Sequence, residues 1–273
     1  MKNFYSNIIN SNPKNLNKII KILKKNGIIS LPTETVYGLA GNAYSNISIK
    51  KIFNIKKRLK KNPLIIHYYS LNDAKKDVIL DKKFYAVYRK FSPGPLTYIL
   101  KKKKNSRIKP IACANLKTVG VRFPNNKIIR KILKKLNFPL AMPSANKSSS
   151  VSPVKPSDVS EEFNNKILVV DGGISKIGIE STVLNLVGKI SILRPGKITP
   201  KQIENILKTN VKVSLKTLVR HLYKTRGVIT LPFFVWRNYY GTSNSLDGSR
   251  FSICCIFSYS KRFCANSRHM DCI

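Results

Sequence analysis

Residues 13–32 read PKNLNKIIKILKKNGIISLP, and this stretch decides the fold class. Leu16, Ile19, Ile20 and Leu23 recur at helical spacing, so a helix over 13–26 carries one apolar face among lysines and asparagines. Gly27 ends it, and the apolar run 28–31 reads as a short strand stopped by Pro32. A helix of this kind feeding a short apolar strand buries its face only against a sheet that both share.

The alternation continues outward. A loop follows Pro32, and 47–58 (ISIKKIFNIKKR) then stacks Ile49, Ile52, Phe53 and Lys56 on successive helical turns. Residues 63–69 (PLIIHYY) are strand-like, 73–79 and 82–90 helical, and 94–102 (GPLTYILKK) and 118–124 (TVGVRFP) strands. An amphipathic helix over 128–136 precedes a short strand at 139–143 (PLAMP). Ser, Pro, Lys and Asn dominate from Ser144 to Pro156, a loop long enough to be functional. Ser157 is expected to cap a short helix reaching Phe163, and 167–173 (ILVVDGG) is a buried strand. Residues 181–196 read as a hairpin turning near Gly188. Thr199, with Pro200 and Gln202, opens a capping-box helix that runs to about Lys208. The expectation is an α/β fold: an open, twisted, mixed sheet flanked by helices over 1–208, then a linker and divergent C-terminal tail over 209–273.

Composition narrows the function classes. Apolar residues make up 42% of the 273, enough for a sizeable core. The formal net charge is +39, a value that suggests nucleic-acid binding, yet the lysines are spread along the whole chain. That spread reads as compositional bias with some benefit for anionic substrates. The longest apolar stretch, 227–236, is far shorter than a spanning helix, so a cytoplasmic protein without a membrane partner is expected. Four of the five cysteines (Cys254, Cys255, Cys264, Cys272) lie in the tail without a C-x-x-C knuckle, and no metal site is expected. After residue 210 the only acidic residues are Asp247 and Asp271.

Neither a phosphate-binding G-x-x-x-x-G-K-[ST] loop nor a G-x-G-x-x-G turn is present. Polar residues gather instead at the ends of apolar segments. Thr33, Glu34 and Thr35 follow a strand at its carboxyl end, where open α/β sheets bind ligands. Lys56, Arg58, Asn62 and His67 lie within KKRLKKNPLIIH, a group able to clamp a polyphosphate or to form an ordinary solvated helix end. Arg122 alternates with Val119 and Val121, which aims it out of the sheet on a polar face. Ser144 and Asn146 follow a strand, Glu180, Ser181 and Thr182 enter one, and Arg194 ends another.

Taken in order, PTETVYGL, KKRxxxNPLIIH, SPGPLT, TVGVRFP, MPSAN, GIESTV and LRPG resemble the YrdC family of threonylcarbamoyl-AMP synthases over roughly residues 15–208. A paralogous branch of that family lacks part of a Lys-Arg-Ser-Asn set, present here as Lys56, Arg58, Ser144 and Asn146. Leu59 departs from the family, where a Pro usually follows the Arg. The resemblance implies an L-threonylcarbamoyladenylate synthase, a nucleotidyltransferase using L-threonine, bicarbonate or CO2, ATP and Mg2+, whose product serves adenosine modification in tRNA. It implies Thr33, His67, Arg122, Met142 and Ser181 as threonine ligands. Lys56, Arg58, Asn62, Thr118, Ser144, Ser152 and Arg194 are implied as ATP ligands, with Lys56, Arg58, Ser144 and Asn146 catalytic. Downstream tRNA threonylcarbamoyl-transfer proteins are the implied partners, with weak RNA binding besides. A double-stranded RNA- or ribosome-binding protein of the same fold is the alternative. The longer branch adds a His-Tyr-x-Pro linker that folds over the nucleotide; His221 and Tyr223 keep a trace of it, and HLYK breaks it.

Overall fold

A computed structural model describes residues 5–148 and 150–214. Residues 215–273 of the expected tail, with His221, Tyr223 and four of the cysteines, therefore lie outside the described residues; Cys113 is a buried free thiol.

After strand β1 (Ile8–Ile9), α1 (Pro13–Lys24) forms as expected. The Asn12 side chain accepts from the Asn15 N–H, Pro13 fills the first turn, and Ile19, Ile20 and Leu23 are buried. β2 (Ile29–Leu31) turns through the 32–37 loop into β3 (Gly38–Asn42), a strand where the sequence predicts loop. GLAGN is poor in β-branched and aromatic residues, so propensity hides the strand. Close packing demands the small residues: a Cβ on Gly38 would sit 2.5 Å from Met142 Cγ.

α2 (Asn46–Ile55) stops at its cap Lys56, and Lys57 takes a left-handed φ of 48°, so the helix does not reach Arg58 as expected. β4 (Ile65–His67) leads to α3 (Leu71–Ala74), which the Ser70 hydroxyl caps, and to α4 (Lys82–Phe91). β5 (Leu96–Lys101), a 3-10 turn (Pro110–Cys113), β6 (Thr118–Arg122), α5 (Lys127–Lys135) and β7 (Leu140–Ala141) follow. α6 (Pro156–Glu162) starts after Lys155, not after Ser157, because Pro156 suits the first turn and the Asp158 carboxylate accepts from the Val154 and Lys155 N–H groups. β8 (Val169–Val170) precedes the hairpin of β9 (Thr182–Asn185) and β10 (Ser191–Arg194), whose turn uses Gly188 at φ 73°. α7 (Pro200–Leu207) has the expected Thr199 capping box. β11 (Lys212–Val213) then pairs in parallel with β10, so the sheet includes residues past 208.

The strand order is β1-β8-β2-β3-β7-β4-β6-β5-β9-β10-β11, mixing parallel and antiparallel neighbours. Leu39 and Ala40 adjoin on β3 yet belong to different apolar clusters, because successive side chains leave a strand on opposite faces. α1 and α5 cover one face through Leu23, Ile129 and Ile132; α2, α4 and α7 cover the other through Ile52, Phe84 and Ile203. No helix among the described residues is long and apolar enough to cross a membrane.

Candidate active site

Strand register assembles the first part of the site. His67 on β4 pairs with Arg122 on β6, and Arg122 pairs with Thr97 on β5. Paired residues share a face, so the three side chains form a row across the sheet. Arg122 points out of the sheet, as its alternation predicts, but is only 4% exposed.

The cover is the PTET loop. Thr33 Oγ1 accepts from the Thr35 and Val36 N–H groups and donates to the Val36 carbonyl at 2.6 Å, closing a tight hydroxyl turn. With its proton used there, Thr33 accepts from the Thr35 hydroxyl at 2.8 Å. Thr35 in turn accepts from Arg122 Nη2 at 2.9 Å, and Glu34 accepts from the same nitrogen at 2.6 Å. The other Glu34 oxygen accepts from the Asn125 N–H at the entry to α5. Thr33, an expected threonine ligand, thus shapes the loop that holds Arg122. The motifs include Glu34 without assigning it a role. Its signal was chemical: an arginine placed in an apolar strand needs a carboxylate to be buried.

A second arginine joins this row. Arg194 donates through Nε to the Ser181 carbonyl at 3.0 Å, through Nη2 to Ser181 Oγ at 2.9 Å, and through Nη1 to Glu180. Ser181 Oγ also lies 2.8 Å from Thr97 Oγ1, which ties Arg194 to the Arg122 row. Glu180 accepts from Ser152 Oγ at 2.8 Å, so one carboxylate joins two expected ATP ligands. Burial pulls the Arg194 pKa down; Glu180 opposes this and the nearby Arg122 charge adds to it. Each guanidinium keeps a carboxylate partner, Glu34 for Arg122 and Glu180 for Arg194.

Unsatisfied atoms mark where a ligand belongs. His67 Nε2 and Arg122 Nε are buried and have no hydrogen-bond partner among the described residues. The other such atoms among the described residues are Asn146 Oδ1 and the hydroxyls of Ser30, Ser48 and Ser175; His67 and Arg122 are the two that stand at paired positions on one face of the sheet. His67 Nδ1 lies 3.3 Å from the Ile65 carbonyl, and the Leu140 backbone also acts on the ring; a proton on Nδ1 would leave the Nε2 lone pair for a ligand. Burial, helped by the Arg122 charge, drives the His67 pKa well below its usual 6.5, so the ring is neutral at neutral pH.

The sign of the resulting pH effect follows. Below pH 6.5 the unfolded chain takes up a proton at residue 67 that the folded chain refuses, so folding weakens as pH falls. The stability difference between wild type and His67→Asn is expected to change by about 1 kcal/mol or more from pH 7 to pH 5, against the wild type. Denaturant unfolding at both pH values reads this, and a constant difference would contradict it.

The remaining expected residues form a second group. Lys56 is 1% exposed, and its Nζ donates to the carbonyls of Ser144, at 2.5 Å, and Asn146. Asn146 is 2% exposed; its Nδ2 donates to the Lys147 and Ser150 carbonyls, and its buried Oδ1 has no partner. Arg58, partly exposed, folds onto the Asn62 and Pro63 carbonyls. Thr118 lies four residues from Arg122 on β6, about 13 Å away. The parallel β4–β6 register puts it on the side from which Asn62 enters β4. Met142 is buried against Gly38, and its N–H donates to Ile65, so it serves packing here. Beside Asn146 and Ser152 a cleft of about 410 Å3 opens; a larger one lies away from these residues. No group of three or more His, Cys, Asp or Glu side chains among the described residues could hold a metal.

Comparison with known proteins supplies the context. The Sua5/YciO/YrdC family model, described as telomere recombination, matches residues 21–196. The chain is 36% identical over 203 residues to the threonylcarbamoyl-AMP synthase of Bacillus subtilis, covering 73% of this chain and 58% of that protein. It is 38% identical over 191 residues to the synthase of Pyrococcus abyssi, covering 68% and 55%. The solved structure of P. abyssi Sua5 complexed with L-threonine superposes with a TM-score of 0.72 at 33% identity, covering 76% of this chain and 62% of that one. The chain thus spans between half and two thirds of the length of these relatives.

Proposed function

The chain belongs to the Sua5/YciO/YrdC family, and from that premise we propose that it joins L-threonine, bicarbonate or CO2, and ATP into threonylcarbamoyl-AMP, releasing pyrophosphate. The observation that carries the proposal is the pair of buried orphan nitrogens, His67 Nε2 and Arg122 Nε, on one face of the sheet. An amino acid supplies both complements: a carboxylate to accept from Arg122, and a hydroxyl or ammonium to donate to His67. The Thr97–Ser181 hydroxyl pair stands beside them for the side chain.

In this reading the amine of threonine takes up CO2 as a carbamate, and a carbamate oxygen attacks the α-phosphorus of ATP. Pyrophosphate leaves with the bridging oxygen. No protein nucleophile is needed; the protein's share is positioning and charge neutralisation. Arg122 orients threonine. Arg194 and Ser152 turn from Glu180 toward phosphate oxygens, while Arg58, Asn62 and Thr118 hold the far part of the nucleotide. Lys56 fixes the Ser144–Asn146 turn, from which Ser144 Oγ donates to phosphate.

Mg2+ would neutralise the triphosphate, held by phosphate oxygens and water. Glu34 and Glu180 are bound to Arg122 and Arg194, and no protein cage is needed. The product suits transfer to an adenosine of tRNA by partner proteins.

The test is pyrophosphate release with threonine, bicarbonate, Mg2+ and ATP omitted in turn; release is expected only with all four. Release that ignores threonine would sink the proposal. Arg58→Ala should slow it roughly 10–1,000-fold. Replacing Lys101, which is exposed, together with the half-buried Lys102 and Lys103 should do little, since charges that reach solvent are screened. An equal loss in both variants would make the diffuse charge functional.

A further inference from the structure

A cleft of about 560 Å3 lies at the opposite end of α5 from the candidate active site. Asn125, just before α5, donates to Glu34, whereas Asn137 and Phe138, just after it, line this cleft. The nine residues of α5 span about 14 Å. Lys24 and Asn26 enter the cleft from the end of α1, and Arg107 from the loop after β5.

The cleft is organised for a particular chemistry. Its lining includes two cations, Lys24 and Arg107, and no carboxylate. Three side-chain amides, Asn26 and Asn137 among them, offer both donors and acceptors, and Phe138 offers an apolar ring. Arg107 is held in place: its guanidinium lies 4.5 Å over the Tyr44 ring, and the fully buried Asp77 accepts from both the Arg107 N–H, at 2.9 Å, and the Tyr44 hydroxyl, at 2.6 Å. Preorganising a cation with a buried carboxylate on its mount lowers the ordering cost of binding an anion. A narrow extension shares Tyr44, Arg107, Asn137 and Phe138 and leads past Tyr69, on whose ring Arg130 stacks at 4.7 Å.

We propose that this cleft binds a nucleotide, free or within a single strand of RNA, with its phosphate between Lys24 and Arg107 and its base on Phe138. The volume exceeds what inorganic phosphate fills, and the amides give a base edge partners that a simple anion would leave unused. Cations that track a backbone beside rings that stack bases are how single strands are held. This site is separate from the proposed reaction and stands whether or not that reaction occurs.

The experiment uses the full chain and a 5′-fluorescein RNA octamer of adenosines, followed by anisotropy in bicarbonate-free buffer. No ATP or other free nucleotide is added, and Arg58→Ala is run alongside to report any share of binding at the first site. The double variant Lys24→Ala, Arg107→Ala is compared with Lys82→Ala, Lys83→Ala, an equal charge loss at exposed residues of α4. The cleft variant should weaken binding about tenfold or more and flatten the log–log salt slope by about 1.4, two contacts at about 0.7 each. The α4 variant should stay within about threefold of wild type. Phe138→Ala should weaken binding about fivefold or more without flattening the slope. Unfolding midpoints for each variant report whether it folds; Arg107→Gln replaces the double variant if that one does not.

Unlabelled AMP and inorganic phosphate are competed against the octamer. Displacement by AMP alone assigns the site to free nucleotides, and resistance to both assigns it to the RNA strand; either supports the proposal. Equal losses in the two lysine-containing variants, displacement by inorganic phosphate as readily as by AMP, or a loss in Arg58→Ala with none in the cleft variant, would overturn it.

Discussion

Arg122→Met is expected to cost about 3 kcal/mol of folding stability and to weaken threonine binding at least about 100-fold. The two losses have different origins. Removing the guanidinium leaves the Glu34 carboxylate, 12% exposed, with its Asn125 N–H bond but without its countercharge. Breaking one side of a buried pair is costly because the other charge stays behind. The double variant Glu34→Gln, Arg122→Met should therefore recover stability to within about 1 kcal/mol of wild type, while threonine binding stays lost. Calorimetry and denaturant unfolding on the two variants separate these effects. Threonine binding that returns with stability would show Arg122 to be only a structural partner of Glu34.

Lys56→Met is expected to slow pyrophosphate release at least about 100-fold while threonine affinity stays within about threefold. Nζ is the donor on which the Ser144 and Asn146 carbonyls converge, and Ser148 N–H donates back to the Lys56 carbonyl at 2.9 Å. Taking Nζ away strips two inward-facing acceptors of a donor, about 2 kcal/mol after the lysine's own burial cost is returned. The turn bearing Ser144 Oγ then loses its fixed position, and positioning is the main catalytic device in a phosphoryl-centre displacement. Lys56→Arg should fare no better, since a planar fork does not fit a 1%-exposed point contact. Unchanged pyrophosphate release in Lys56→Met would remove Lys56 from the catalytic set.

Lys56 also shows the limit of what spacing conveys. Its place at a helix end, two residues before Arg58, suggests a phosphate clamp in solvent. The structure buries it and turns it inward, and only Arg58 of the two stays partly open. The hydroxyl of Thr33 likewise closes a turn within its own loop.

The sequence by itself determined α1, α4, α5, α7 and the longer strands, since their signals are local. The helix expected over 73–79 is instead the single turn Leu71–Ala74, with Val78 bridging to Lys102. Apolar spacing set α1 and α5, the capping box set α7, and the Gly188 turn set the β9–β10 hairpin. Motif order determined the family, because the residues that meet ligands recur as short strings. Tertiary structure alone decided which side chains meet. β3 formed from glycines and alanine because β2 and β7 flank it, and β11 formed because β10 offered an edge. The pairing of Arg122 with Glu34, and of Arg194 with Glu180, spans 88 and 14 residues of chain. No local propensity encodes such distances; they follow from strand register and from the cost of leaving a buried charge without a partner.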